Sequence, residues 1–347
     1  MESKSISRRN FLEKSAATTG LMAFGAAGIS KSSFSQGTAT GKLPREVWIA
    51  TISQMRLAAD TPEEMVRLIF SNMEKAIIHQ PDIICLPEAF LTANVRKRLT
   101  LSEKVETSTR ILKMFSAFSK QNNCYLVCPV YTSERGKSYN SAVVIDRHGE
   151  QIGEYRKIHT TEGEIRSGIT PGPLKPPVFE TDFGLIGIQI CFDILWDDGW
   201  KSLKQQGAEI VFFPAAYPGG QMVNAKAWQH KYVVVSSTRK LTSKICDISG
   251  DVVVQTGFWD SNLICAPVNL EKVFLHTWPY VNRFDEIRAK YGRKIKITNY
   301  HEEEWSIIES RSHDILVKDV LKEFNLKTFE QHTTDAEIAQ VNAREKM

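Results

Sequence analysis

Between residues 46 and 270 the chain keeps returning to short, apolar runs that read as buried strands, and it links them in two different ways. In the first part, helices intervene. Val47-Trp48-Ile49-Ala50-Thr51-Ile52 reads as a strand. Thr61-Pro62-Glu63-Glu64 then opens a helix, with a capping hydroxyl, a proline in the first turn and acids at the positive end of the dipole. Met65, Leu68, Ile69, Met73, Ala76 and Ile77 follow at helical spacing. Residues 82–86 form a fully apolar strand stopped by Pro87, residues 102–122 a second amphipathic helix, and residues 124–130 another buried strand.

The rhythm then changes to hairpins. Strands 139–146 and 151–155 flank the turn Arg147-His148-Gly149-Glu150. Strands 178–181 and 185–190 flank Asp182-Phe183-Gly184, and strands 244–248 and 252–255 flank Ser249-Gly250-Asp251. Residues 200–206 and 225–232 read as helices, 210–213 and 233–236 as strands, and 263–270 as a last core strand. Mixed signals without strict strand–helix alternation predict an α/β (α+β) chain with two layers of sheet and helices outside. No Pro/Gly/Ser-rich break or internal repeat divides the body, so residues 44–280 read as one domain. Residues 281–347 read as a charged, helix-prone extension that could wrap a neighbour.

Composition narrows the class. With 347 residues, 42% apolar and 24% charged, the chain can bury a sizeable core, which excludes a disordered, collagenous or coiled-coil chain. The net charge of +4 comes mostly from the N-terminal segment, where Lys4, Arg8, Arg9, Lys14 and Lys31 outnumber Glu2 and Glu13. The near-neutral body gives no reason to expect nucleic acid or an anionic membrane surface.

Residues 1–43 have the layout of a bacterial export signal. Ser7-Arg8-Arg9-Asn10-Phe11-Leu12 precedes a weakly apolar run over residues 15–29, shorter than the roughly 20 residues that span a bilayer. It resembles the twin-arginine class, whose cargo crosses already folded. That implies a periplasmic or secreted location and no membrane contact beyond an uncleaved leader. Glu13 stands where a lysine is usual, and no Ala-x-Ala cleavage site is evident.

The six cysteines, Cys85, Cys124, Cys128, Cys191, Cys246 and Cys265, sit among apolar residues and read as buried small hydrophobes. Nothing pairs Cys124 and Cys128 with a second Cys or His pair, so no metal site is expected. Phosphate-binding, zinc-hydrolase and serine-hydrolase signatures are absent from the sequence.

Reactive residues do stand at three strand ends: Glu88 after Pro87, Lys157 after Tyr155, and Cys191 after Ile190. Alone, each has a plainer reading as a surface carboxylate, a solvated basic turn or a core thiol. Together they would form a covalent catalyst. The carboxylate takes the thiol proton, the thiolate attacks, and the ammonium stabilises the oxyanion and lowers the thiol pKa. Spacing alone does not show that the three meet.

Leu86-Pro87-Glu88, Tyr155-Arg156-Lys157-Ile158-His159 and Gly187-Ile188-Gln189-Ile190-Cys191-Phe192-Asp193, in this order, resemble the carbon–nitrogen hydrolase (nitrilase) superfamily. Pro171-Gly172 and Phe213-Pro214-Ala215-Ala216-Tyr217 extend the resemblance, which covers residues 47–270. It implies a four-layer α-β-β-α sandwich and a triad of Glu88, Lys157 and Cys191. Cys191 would be the nucleophile and Glu88 the general base and acid. Lys157 and the Phe192 N–H would hold the oxyanion. Glu164, with Glu162 as competitor, would position the groups. Phe192, His159 and Tyr217 would line the substrate pocket.

Two stretches depart from the family pattern. Lys226-Ala227-Trp228-Gln229-His230 replaces an Arg-Ala-x-Glu-Asn stretch, and Trp196-Asp197-Asp198 replaces Arg-Phe-Pro. Tyr217 also stands where tryptophan is more usual. Cys191-Phe192-Asp193 looks more like the amide and carbamoyl hydrolases than the Cys-Trp-Glu of true nitrilases. The resemblance therefore implies hydrolysis of a small non-peptide amide through a thioester. N-carbamoyl amine or nitrile hydrolysis, and acyl transfer to an amine, are the chemical alternatives. A non-catalytic ligand-binding protein is the alternative of another class. The expected partners are a small-molecule substrate and further copies of the chain, as a homodimer or higher homo-oligomer. No cofactor is implied.

Overall fold

The computed structural model describes residues 41–259 and 261–346; the twin-arginine segment and the apolar run that follows it lie outside them. Two six-stranded sheets form the centre. The first is built from β1 (Glu46–Ile52), β2 (Ile83–Cys85), β3 (Tyr125–Glu134), β4 (Lys137–Ile145), β5 (Gln151–Arg156) and, from much later in the chain, β12 (Leu263–Asn269). The second contains β6 (Phe179–Thr181), β7 (Gly184–Ile188), β8 (Ile210–Ala215), β9 (Val233–Thr238), β10 (Lys244–Cys246) and β11 (Val252–Gln255). The strand orders are β12-β1-β2-β3-β4-β5 and β11-β10-β9-β8-β7-β6. Each sheet has three parallel strands, β1-β2-β3 or β7-β8-β9, with antiparallel strands on either side. The two sheets thus share one pattern of strand directions without repeating sequence, although β12 joins the first from far along the chain.

Helices cover the sheets: α1 (Pro62–Ala76), α2 (Leu101–Asn122), the short α3 (Glu162–Arg166), α4 (Asp198–Gln205) and α5 (Gln221–His230). Alternate residues serve alternate faces. Ile49, Ile83, Cys85 and Val127 join one core cluster with Ile188, Phe212 and Val235 of the second sheet. Ala50, Ile84, Leu86, Leu126 and Cys128 point the other way, against Met65, Ile69, Met73, Ile111 and Phe115 of α1 and α2. This is why the parallel strands are apolar at most positions, since both faces are covered. The layers are helix, sheet, sheet, helix.

Polar stitching joins the sheets. The Thr51 hydroxyl donates to Ser236 O at 2.8 Å, and the Ser237 hydroxyl donates to Ile52 O at 2.6 Å. At the N-terminal end of β2, Arg147 holds Asp82 at 2.7 Å and Asp182, from the β6–β7 turn, at 2.6 Å. Those pairs clasp the sheets at the opposite end from the loops that follow the parallel strands.

The C-terminal segment is richer in strand than its charge pattern predicts. After β13 (Lys272–His276) and α6 (Val281–Tyr291) come β14 (Ile295–Tyr300) and β15 (Trp305–Ser310), then α7 (Val317–Glu323) and α8 (Phe329–Glu345). The three strands form a small sheet in the order β13-β15-β14. Leu275, Phe284, Ile287, Ile308, Val320 and Phe324 share a core of their own. The sheet also reaches the main core through Phe274 and Ile307. Among the described residues no helix is long and apolar enough to cross a membrane, and the six cysteines form no disulfide.

Candidate active site

Three strand ends converge. Beyond β2, Leu86 N–H still bonds Val127 O, and Glu88 follows with 4% of its surface exposed. Ala89 then adopts φ 51°, and its carbonyl accepts the N–H groups of Thr92 and Ala93 to close the turn. Beyond β5, Lys157 N–H extends the ladder to Asn140 O, leaving the side chain 2% exposed. Gly172 N–H bonds Lys157 O at 2.8 Å, and a Cβ at Gly172 would lie 2.3 Å from Arg156 O. Only glycine passes that close to the strand that carries the lysine.

Cys191 is placed differently from the expectation that it directly ends its strand. β7 stops at Ile188, and Cys191 opens a 3₁₀ turn, Cys191–Leu195, with φ 50°. A left-handed non-glycine residue costs about 1–3 kcal/mol and persists only where its surroundings fix it. What fixes it is Asp193, which is fully buried. Its Oδ2 accepts from Ile190 N–H at 2.8 Å and from the Tyr155 hydroxyl at 2.7 Å. Its Oδ1 accepts from His159 N–H at 2.7 Å and lies 3.1 Å from His159 Nδ1. One carboxylate therefore ties the cysteine turn to the segment that follows Lys157. Asp193→Asn puts an amide N–H against a backbone N–H whichever way it turns. We expect it to destabilise the fold by about 3 kcal/mol, read by chemical denaturation; a loss below about 1 kcal/mol would contradict this role.

The charged centre is compact. Lys157 Nζ lies 3.1 Å from Glu88 Oε1 and 2.9 Å from Glu164 Oε2. Asn140 Nδ2 donates to both carboxylates, at 3.0 Å to Glu88 and 2.7 Å to Glu164. Burial opposes the charge on Lys157, but the carboxylates of Glu88 and Glu164 and the nearby thiol outweigh it and raise its pKa. Burial likewise favours a neutral Glu164, yet Lys157, the Thr161 N–H and Asn140 together hold its pKa below the usual range. Glu162 points elsewhere, pairing with Arg166 on the surface.

Lys157 lowers the thiol pKa, but other effects outweigh it. Burial, then the charge of Glu88, push Cys191 up to about 12, and Lys157 and the Ala216 N–H offset only part of this. The reason is visible in the ion pairs: the ammonium sits between two carboxylates, so little net positive field reaches the sulfur.

Aromatic groups cluster around the cysteine turn. Phe192 meets Trp196 edge-on at 5.0 Å, and Trp196 stacks on His159 at 4.3 Å. The hydrogen bond to Asp193 raises the His159 pKa, against the effect of burial. Tyr217 is pushed up by burial, then by the charges of Cys191 and Glu88. The two stretches that depart from the family pattern contact each other: Asp197 accepts Lys226 Nζ at 2.7 Å and pairs with His230 Nε2 at 2.8 Å. Asn140, Tyr155 and Asp193 are functional neighbours that the sequence reading gave no role. An Asn two residues before the apolar run 142–145 of β4 was the only local mark of the first. Among the described residues no group of three or more His, Cys, Asp or Glu side chains is arranged to hold a metal ion.

The family Carbon-nitrogen hydrolase matches residues 49–274, more than half of the chain, and the chain belongs to it. Among curated relatives, the deaminated glutathione amidase of Synechocystis sp. (strain PCC 6803 / GT-S) is 28% identical over 160 residues, 42% of this chain and 58% of that protein. The N-carbamoylputrescine amidase of Arabidopsis thaliana is 36% identical over 96 residues, 26% of this chain and 32% of that protein. The chain thus matches between about a third and three fifths of the length of these two relatives. Of solved structures, an amidase from Nesterenkonia sp. superposes with a TM-score of 0.58 at 17% identity, covering 64% of this chain and 90% of that one. A carbon-nitrogen hydrolase from Helicobacter pylori G27 gives 0.57 at 16% identity, with 71% and 93% covered. The shared fold is the α-β-β-α sandwich described above.

Proposed function

We propose that the protein hydrolyses a small, non-peptide amide through a thioester on Cys191. The observation that carries this reading is the meeting of Glu88, Lys157 and Glu164 around one ammonium, beside a thiol held in a left-handed turn. Both Asn140 and Lys157 bond Glu88 through Oε1, so Oε2 is the oxygen open to the thiol. The thiol is neutral at rest and loses its proton to Glu88 only as it attacks.

The Cys191 Sγ–C bond forms and the carbonyl electron pair moves to oxygen, held by Lys157 Nζ and the Phe192 N–H. The intermediate collapses, the C–N bond breaks, and Glu88 returns its proton to the leaving ammonia or amine. Water then loses a proton to Glu88 and attacks the thioester. The C–S bond breaks, Sγ regains the proton, and the acid is released. The amidase of Nesterenkonia sp. AN1 has been captured in variant form with the acetamide moiety of fluoroacetamide added covalently at its active-site cysteine, a precedent for a nucleophilic cysteine on the same fold and not for a thioester.

N-carbamoyl amine hydrolysis is the second reading, supported by the likeness to N-carbamoylputrescine amidase. It uses the same steps and releases carbon dioxide with ammonia and an amine. A panel of small amides, N-carbamoyl amines and nitriles, scored for both gases, separates the two. Ammonia from an amide, without carbon dioxide, supports the amidase. Silence on the whole panel, with no acyl adduct on Cys191 in any arm, contradicts both and favours a binding role.

Export by the twin-arginine route is proposed from the Arg8-Arg9 segment alone. Replacing both by lysine should retain the protein in the cytoplasm, read by fractionation; unchanged export would refute the assignment.

A further inference from the structure

Lys244 opens β10 and is 6% exposed, yet no carboxylate pairs with it among the described residues. Its ammonium donates instead to two neutral oxygens, Gly220 O at 2.7 Å and Asn224 Oδ1 at 2.5 Å. Burial pushes it below its ordinary pKa. A buried cation without a counter-charge is costly, and an apolar side chain of similar volume avoids that cost. The position is also electrostatically adverse. Gly220 and Asn224 bracket the first turn of α5, the positive end of a helix dipole, and that turn has no acidic residue and no side-chain cap. Stability therefore does not account for this lysine. What the ammonium supplies is two directed bonds to the segment that links β8 to α5.

Both ends of those bonds are fixed. The Lys244 N–H bonds the Ser236 hydroxyl of β9 at 2.9 Å. Asn224 Nδ2 donates to Gly250 O, in the turn between β10 and β11, at 2.6 Å. The linking segment, residues 216–220, ends in Gly219 at φ 71° and Gly220 at φ 54°. It packs on the cysteine turn: a Cβ at Gly219 would lie 3.5 Å from Ile194 Cδ1 and 3.2 Å from Phe213 Cε1. A second tie runs from the same helix. Lys226 Nζ donates to Trp196 O at 3.3 Å, just past the end of the cysteine turn, and pairs with Asp197 at 2.7 Å. Lys244 thus stands behind α5 and residues 216–220, and these back the turn that opens with Cys191.

We propose that Lys244 is a positioning residue for the nucleophile: its ammonium holds residues 216–220 against Ile194, which keeps Cys191 in the left-handed turn from which it attacks. The inference extends the amidase reading, and its kinetic arm rests on that reading. Lys244 acts through the loop and the helix, not on the reacting atoms. A nucleophile displaced by about 1 Å loses much of its rate even when every catalytic group is present.

The test uses Lys244→Met, which keeps an apolar stem without the donors, and Lys244→Arg, which can donate to the same two oxygens. With a small amide, kcat for ammonia release by Lys244→Met should fall about 10–100-fold below the wild type with KM little changed, and arginine should restore part of it. The melting temperature of Lys244→Met should stay within about 3 °C of the wild type, because two lost hydrogen bonds are set against relief of a buried charge. A melting temperature that falls while kcat per folded protein is unchanged would mark a merely structural lysine and overturns the proposal. A second arm does not depend on turnover. Alkylation of Cys191 by iodoacetamide at pH 7, followed by peptide mapping, should be at least about fivefold faster in Lys244→Met, since a loosened turn exposes the thiol. If amides are hydrolysed and neither kcat nor the alkylation rate depends on Lys244, this inference fails while the amidase reading stands. If no amide is hydrolysed and the alkylation rate still depends on Lys244, the amidase reading fails and the positioning role stands.

Discussion

Lys157→Met should destabilise the fold by about 3–5 kcal/mol at pH 7, the cost typical of removing one partner of a buried ion pair. In a chain of this size that corresponds to a fall of roughly 4–7 °C in the melting temperature. Methionine preserves the apolar stem, so the loss isolates the charge. Lys157 is 2% exposed and stands between Glu88 and Glu164, and Asn140 alone cannot neutralise two carboxylates. The pH dependence has a definite sign. Without the ammonium, the buried carboxylate charges are opposed by hydrogen bonds alone. The deficit is then fully present at neutral pH and shrinks as acidification protonates them. In the wild type the opposite holds for Glu164, whose pKa is lowered. Its contribution is present above the ordinary carboxylate pKa and is lost as the pH falls through the folded value. Chemical denaturation of both proteins at pH 7 and pH 5 reads this. A variant within about 1 kcal/mol of wild type at pH 7, or a deficit that grows on acidification, would show that the three groups do not act as one charged unit.

Cys191→Ala should reduce ammonia release by about 10⁴-fold or more while leaving the stability close to that of the wild type. Loss of a covalent nucleophile removes the step on which the others depend, so the effect is not shared among neighbours. The thiol itself should be sluggish towards iodoacetamide at neutral pH. Burial and Glu88 push its pKa up to about 12, so the thiolate fraction is small and grows about tenfold for each pH unit up to that value. Alkylation that is already maximal at pH 7 would mean a preformed thiolate, and Glu88 would then have no proton to take.

The contrast between sequence and structure is sharpest at the cysteine. Leu86-Pro87-Glu88 and Lys157 could be placed at strand ends because the strands before them are short apolar runs with clear stops. The left-handed turn at Cys191 has no such mark, since cysteine is not a residue that signals positive φ and the turn depends on Asp193, Tyr155 and His159 meeting in space. The raised thiol pKa was equally hidden. It depends on where the field of Lys157 goes, which in turn depends on Glu164 and Asn140. The small third sheet was missed because β14 and β15 bury only part of their surface and alternate apolar residues with Lys296, Thr298 and Glu309, a pattern that charge content disguises. The shared pattern of strand directions in the two main sheets leaves no trace in sequence, since covering both faces demands only apolar residues and not the same ones.

The most direct test of the central claim is the intact mass of the protein after rapid acid quench during turnover of a small amide, followed by peptide mapping. The account predicts a fraction of the protein heavier by the acyl group less one hydrogen, on the peptide that contains Cys191, and absent in Cys191→Ala. Ammonia release that persists in Cys191→Ala, or an adduct on any other residue, would contradict it.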